Sequence, residues 1–198
     1  MIGKIFAITN RKLLKNKTLG QIIEESVEGG ADAIILREKD LPSEALYEIA
    51  LKAKIITDNR SLLIINGNYE VANRVKADGI QLSYEAFMNF QEAFNGLKGV
   101  SIHSLKEAVA AEKKGADYVI AGHIFNTACK RGLEGRGMEF LETICHALTI
   151  PVIAVGGINS YNLKEVLNTG AQGAAFMSSV MENERPLEYL KSLRLAIL

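Results

Sequence analysis

Short apolar runs recur along the chain, separated by longer stretches in which apolar positions return every three or four residues. The first pattern is that of a strand buried on both faces, the second that of an amphipathic helix. One junction repeats, at Gly30-Ala31-Asp32-Ala33-Ile34, Ala77-Asp78-Gly79-Ile80, Gly115-Ala116-Asp117-Tyr118-Val119 and Gly170-Ala171-Gln172-Gly173-Ala174. Each is a helix stopped by a left-handed cap, then a polar turn residue, then the start of a buried strand. Four more apolar runs lie at 5–9, 62–66, 99–102 and 151–155. Helices are expected near 18–28, 43–57, 69–76, 85–95, 104–114, 138–148, 160–169 and 186–197, with Ser104 and Glu107 offering a capping box.

Eight strand–helix units in sequence predict an α/β fold, a single closed (β/α)8 TIM barrel over residues 1–198, at the short end of the roughly 200 to 400 residues such barrels use. A flavodoxin-like open sheet competes, but it needs only about five strands.

Composition narrows the picture without changing it. With 48% hydrophobic and 23% charged residues the chain has the material for one globular core. Its 23 basic residues balance 23 acidic ones, so no overall field attracts nucleic acid or an anionic membrane surface. The amino-terminal apolar run is too short for a signal peptide and no segment approaches the length of a membrane span, so a cytoplasmic protein is expected. Cys129 and Cys145 show neither a disulfide framework nor zinc-ligand spacing.

In a barrel, binding groups gather at the carboxyl ends of the strands. Those ends carry Arg37 and Lys39, Asn66, Ser101 and His103, His123, Gly156 and Gly157, and Ser178 and Ser179. The two glycines and two serines match the phosphate site such barrels build from backbone N–H groups and a short helix, although small-residue turns would look the same. Arg37 and Lys39 share a strand parity and can grip a carboxylate or phosphate, or simply be a solvated charge run. His123 directly follows an apolar strand, where an imidazole suits proton transfer near neutral pH. A Cys129–His123 nucleophile pair has no orienting third residue.

Leu36-Arg-Glu-Lys39, Ile65-Asn-Gly67, Ser101-Ile-His-Ser104, Gly122-His-Ile-Phe-Asn-Thr-Ala-Cys-Lys130 and Ile150-Pro-Val-Ile-Ala-Val-Gly-Gly157, taken in order, resemble the thiamin phosphate synthase superfamily over the whole chain. Within it they resemble the TenI thiazole tautomerases. The departures from the synthase pattern are Gly67 and Ala86 where synthases carry magnesium-binding carboxylates, and His123 where they carry proline.

The resemblance therefore implies a cofactor-independent isomerase of thiamin biosynthesis that holds no metal. It would convert a carboxylated thiazole precursor phosphate to the aromatic form, with His123 as the acid–base group. Arg37, Lys39, Asn66, Ser101, His103, Thr127 and Lys130 would bind substrate, and Gly156, Gly157, Ser178 and Ser179 its phosphate. A homo-oligomer, a dimer, is expected, with no nucleic-acid or membrane partner. The alternatives are a thiamin phosphate synthase-like enzyme and a non-catalytic regulator that binds thiazole or thiamin phosphate.

Overall fold

The computed structural model describes residues 3–127 and 132–197. Eight parallel strands close into a barrel in sequence order. They are β1 Ile5–Ile8, β2 Ala33–Leu36, β3 Leu62–Asn66, β4 Gly79–Ser83, β5 Leu97–Ile102, β6 Tyr118–Gly122, β7 Val152–Val155 and β8 Gly173–Phe176. β1 closes the ring by pairing Ile5 with Ala174 and Ala7 with Phe176.

Around the barrel lie α1 Leu19–Glu28, α2 Ser43–Thr57, α3 Tyr69–Arg74, α4 Tyr84–Met88, α5 Leu105–Lys113, α6 Gly137–Ala147, α7 Leu163–Asn168, α8 Ser178–Met181 and α9 Pro186–Ala196. The expected helices fall where the 3.6-residue period placed them, with one correction. α4 ends at Met88 rather than near residue 95, because Asn89 caps it and the apolar side chains beyond, Phe90 and Phe94, leave the helix to stack edge-on against Tyr69. A 3-10 turn over Arg11–Leu13, which the apolar pattern does not signal, follows β1.

Alternation along the strands divides the apolar residues into two layers. Phe6, Ile8, Ala33, Ile35, Ile64, Tyr118, Ile120, Ile153 and Ala175 fill the barrel interior. The opposite parity packs against the helices.

The repeated junction has a physical role at the amino-terminal end of the barrel. Gly30, Gly115 and Gly170 take the left-handed conformation, with φ of 97°, 91° and 96°, and at the remaining junction Lys76 takes it instead, with φ of 51°. The aspartates that follow staple neighbouring strands. Asp32 accepts from the backbone N–H of Lys4 and Ile5, Asp78 from Leu63, and Asp117 from Lys98. Asp32 also pairs with Arg194 and Asp78 with Lys54, so this end of the barrel is committed to stability. Among the described residues no helix is long and apolar enough to cross a membrane.

Candidate active site

The carboxyl ends of the strands form the opposite mouth. Arg37 and Asn66 stand side by side there, each one residue beyond the paired Leu36 and Ile65, and with the inward parity of Ile35 and Ile64. The Arg37 guanidinium reaches across toward β8, where its Nη1 lies 4.0 Å from Met177 Sδ, beside the start of α8. No ion pair found among the described residues involves Arg37 or Lys39, and Lys39 is exposed. Both charges are available to an anion.

The backbone that carries Arg37 is fixed by a residue the sequence reading passed over. Glu38 is only 4% exposed. It accepts from Thr9 Oγ1 at 2.7 Å, from the Arg11 backbone N–H at 3.1 Å and from Arg11 Nη1 at 3.2 Å. Thr9 Oγ1 in turn accepts from the Arg37 backbone N–H at 2.9 Å. Arg11 also forks onto Asp40 at 2.6 and 2.8 Å, and Lys12 adds a third contact at 3.0 Å. The hydrogen bonds from Arg11 and Lys12 hold the Asp40 carboxyl well below the usual carboxylate range. In Leu36-Arg-Glu-Lys39 the two cations were the visible signal. The carboxylate between them points the other way and anchors the strand end.

Ser101 and His103 lie on β5 and just beyond it. Ser101 is half-buried and accepts from Gln81 Nε2 at 3.0 Å. The exposed His103 has Nδ1 2.9 Å from the Gly122 carbonyl, tying the end of β5 to that of β6. Thr127 is half-buried on the loop after β6.

His123 follows β6 directly and is half-buried, its Nε2 3.3 Å from the Leu133 carbonyl. The loop beyond is tied down where it is described: Arg136 N–H donates to the His123 carbonyl at 2.9 Å, and Gly135 N–H to Asn126 Oδ1 at 2.6 Å. Lys130, expected to bind substrate, and Cys129 lie outside the described residues.

Gly156 and Gly157 have φ of 101° and 68°. A Cβ on Gly156 would sit 2.4 Å from His123 Cβ, and one on Gly157 2.6 Å from Phe125 Cβ. The two glycines thus let the end of β7 lie flat against the segment after β6, a packing reason separate from any anion. Ser178 and Ser179 open α8, half-buried, across β8 from them.

The synthase pattern places magnesium beside β3 and β4, and the residues present do not fit it. Gly67 offers no side chain, Ala86 is apolar and exposed, and Glu85 beside it is a single exposed carboxylate on the first turn of α4. Magnesium takes near-octahedral oxygen coordination, to which protein carboxylates contribute. Among the described residues no group of three or more His, Cys, Asp or Glu side chains is placed to hold a metal ion.

Known proteins fix the family. The profile TMP-TENI, described as thiamine monophosphate synthase, matches residues 5–180. The chain is 40% identical over 195 residues to the thiamine-phosphate synthase of Pyrococcus furiosus, covering 96% of this chain and 93% of that protein. It is 36% identical over 187 residues to the thiamine-phosphate synthase of Clostridium acetobutylicum, covering 92% and 89%. The solved structure of thiamine phosphate pyrophosphorylase from Pyrococcus furiosus superposes with a TM-score of 0.87 at 38% identity, over 98% of this chain and 95% of that one.

These relatives overturn the expectation of a thiazole tautomerase. Similarity of 33% to 40% along nearly the whole chain is to proteins named as synthases, and it outweighs three local departures at Gly67, Ala86 and His123. The isomerase assignment and the proton-shuttling role that came with it are withdrawn. Barrel, mouth and similarity along the length of the sequence agree that the chain belongs to the thiamine monophosphate synthase family of enzymes.

Proposed function

We propose that this chain is a thiamin phosphate synthase-type transferase that joins a pyrimidine pyrophosphate to a thiazole phosphate at the barrel mouth. The observation that carries the reading is the 40% identity to a protein named thiamine-phosphate synthase over 96% of the chain. Arg37, a cation at the mouth with no ion pair among the described residues, supports it.

In the reaction the thiazole ring nitrogen attacks the methylene carbon of the pyrimidine. The new N–C bond takes the nitrogen's electron pair, and the C–O bond breaks toward the departing pyrophosphate. The need is to hold two anionic substrates in line and to stabilise charge on the leaving group, which is positioning and electrostatics rather than proton transfer.

Arg37, with its planar fork of donors, and Lys39 are assigned to the pyrophosphate. Gly156, Gly157, Ser178 and Ser179 are assigned to the thiazole phosphate, with backbone N–H groups and hydroxyls as donors. Asn66, Ser101, His103 and Thr127 orient the rings, and His123 forms a wall of the mouth. Since Gly67 and Ala86 leave no carboxylate cage, no step is routed through a metal.

The test is to incubate the purified protein with both substrates, in the presence of magnesium and in its absence, and to follow thiamin phosphate by fluorescence after oxidation. Product is expected. None under either condition overturns the proposal.

A further inference from the structure

The loops that lead from strand to helix surround the mouth, and in them nine Lys and Arg residues stand against three acidic ones, Glu38, Asp40 and Glu134. The loops at the other end, from helix to strand, carry three Lys and Arg against five Asp and Glu. A chain with no net charge thus gathers its cations around the site. The residues outside the described structure add no Asp or Glu to this balance.

The carboxylates near the mouth are engaged or stand apart. Glu38 is held by Thr9 and Arg11, and Asp40 by Arg11 and Lys12. Glu134 is exposed on the loop after β6, across the barrel from β2. Glu182 and Glu184, beyond α8, share a hollow with Lys15 and Lys17. Glu70 and Glu85 are exposed on the first turns of α3 and α4, where a carboxylate suits the helix dipole. Arg37 and Lys39, at the end of β2, have no acidic partner among the described residues.

Magnesium brings a phosphate two positive charges, but the protein must hold it through oxygen ligands, carboxylates above all. A mouth without a free carboxylate has no grip on the metal, and its cations repel it. Free pyrophosphate keeps its whole charge for Lys39 and for the Arg37 fork, which can take two oxygens at once. Chelation by magnesium cancels two of those charges and occupies oxygens that the guanidinium would grip.

We propose that the mouth takes the pyrophosphate group as the metal-free anion, with Arg37 and Lys39 supplying the charge that magnesium would supply. Magnesium then competes with the protein for the group instead of bridging the two. The inference rests on the proposed function, in which the pyrophosphate substrate binds at the mouth.

The experiment is calorimetric titration of inorganic pyrophosphate into protein freed of metal over a chelating resin, and again with the pyrophosphate pre-equilibrated with excess magnesium. Free pyrophosphate is expected to bind, and magnesium to weaken binding about tenfold. Arg37→Met is expected to weaken binding of the free anion about tenfold. The double variant Gly67→Asp/Ala86→Asp supplies carboxylates beside β3 and β4, and magnesium is expected to strengthen binding to it. It should fold, as thermal unfolding will show: a Cβ at 67 meets nothing within 4 Å, aspartate tolerates the φ of 75° there, and Ala86 is exposed. Tighter or equal binding of the magnesium complex to the wild type, binding of neither form, wild-type affinity in Arg37→Met, or a folded double variant that still prefers the free anion would each overturn the proposal. Thiamin phosphate formed only when magnesium is added would overturn it and leave the proposed function standing. Preference for free pyrophosphate with no thiamin phosphate under either condition would count against the reaction alone.

Discussion

Replacing Glu38 by alanine tests whether the buried carboxylate organises the mouth. The variant would leave the Thr9 hydroxyl, the Arg11 backbone N–H and one Arg11 guanidinium contact without their acceptor. Removing one partner of a buried ion pair costs about 3–5 kcal/mol. Here the Arg11 side chain is 30% exposed and keeps Asp40, so water and that second carboxylate absorb part of its charge. The lower end, about 3 kcal/mol, is therefore expected, which for a chain of this size lowers Tm by about 6–12 °C. Glu38→Gln keeps an acceptor but not the charge and is expected to cost about 1 kcal/mol, or about 2–4 °C. Differential scanning calorimetry reads both. A shift below about 2 °C for Glu38→Ala would refute the reasoning, because it would mean that the network ties down nothing that unfolding releases. Since Thr9 also accepts from the Arg37 backbone N–H, affinity for the pyrophosphate substrate should fall in the same variant.

Three further outcomes are expected. Gly156→Ala places a Cβ 2.4 Å from His123 Cβ at a φ of 101°, so a loss of about 1–3 kcal/mol in denaturant unfolding is expected, with weaker phosphate binding by calorimetry. Arg37→Met should lower kcat/KM about 10²-fold in the synthase assay while leaving Tm within a few degrees, because the guanidinium makes no ion pair among the described residues. Asp40 and Glu44 are held below their ordinary values, chiefly by side-chain hydrogen bonds from Arg11 and Arg74. Their contribution to stability is present above the ordinary carboxylate range and lost as pH falls through the depressed values, so Tm should drop on acidification and drop less steeply in Asp40→Asn.

Much of the fold was legible because it depends on period. The alternation of buried runs with amphipathic stretches marked all eight strands, and the repeated junction marked four of the seven places where a helix yields to a strand. What the period does not carry is the pairing of residues far apart in the chain. Lys76 in a left-handed turn looks like any exposed lysine, and the stapling role of Asp32, Asp78 and Asp117 appears only when the preceding strand lies alongside. At the mouth, Arg37, Asn66 and Ser101 were visible as polar residues ending apolar runs. Glu38 and Gln81 also end apolar runs, but their roles were not legible, because each is buried against a partner set by strand register, Thr9 in one case and Ser101 in the other. The choice of reaction failed for a related reason: three departures in short motifs carried more weight than the similarity of the rest of the chain.

The central claim is tested most directly by quantifying thiamin phosphate and pyrophosphate together in one reaction of the purified protein with a pyrimidine pyrophosphate and a thiazole phosphate. The account predicts that both appear in equal amounts and that Arg37→Met slows both alike. Pyrophosphate without thiamin phosphate, or neither product, would contradict it.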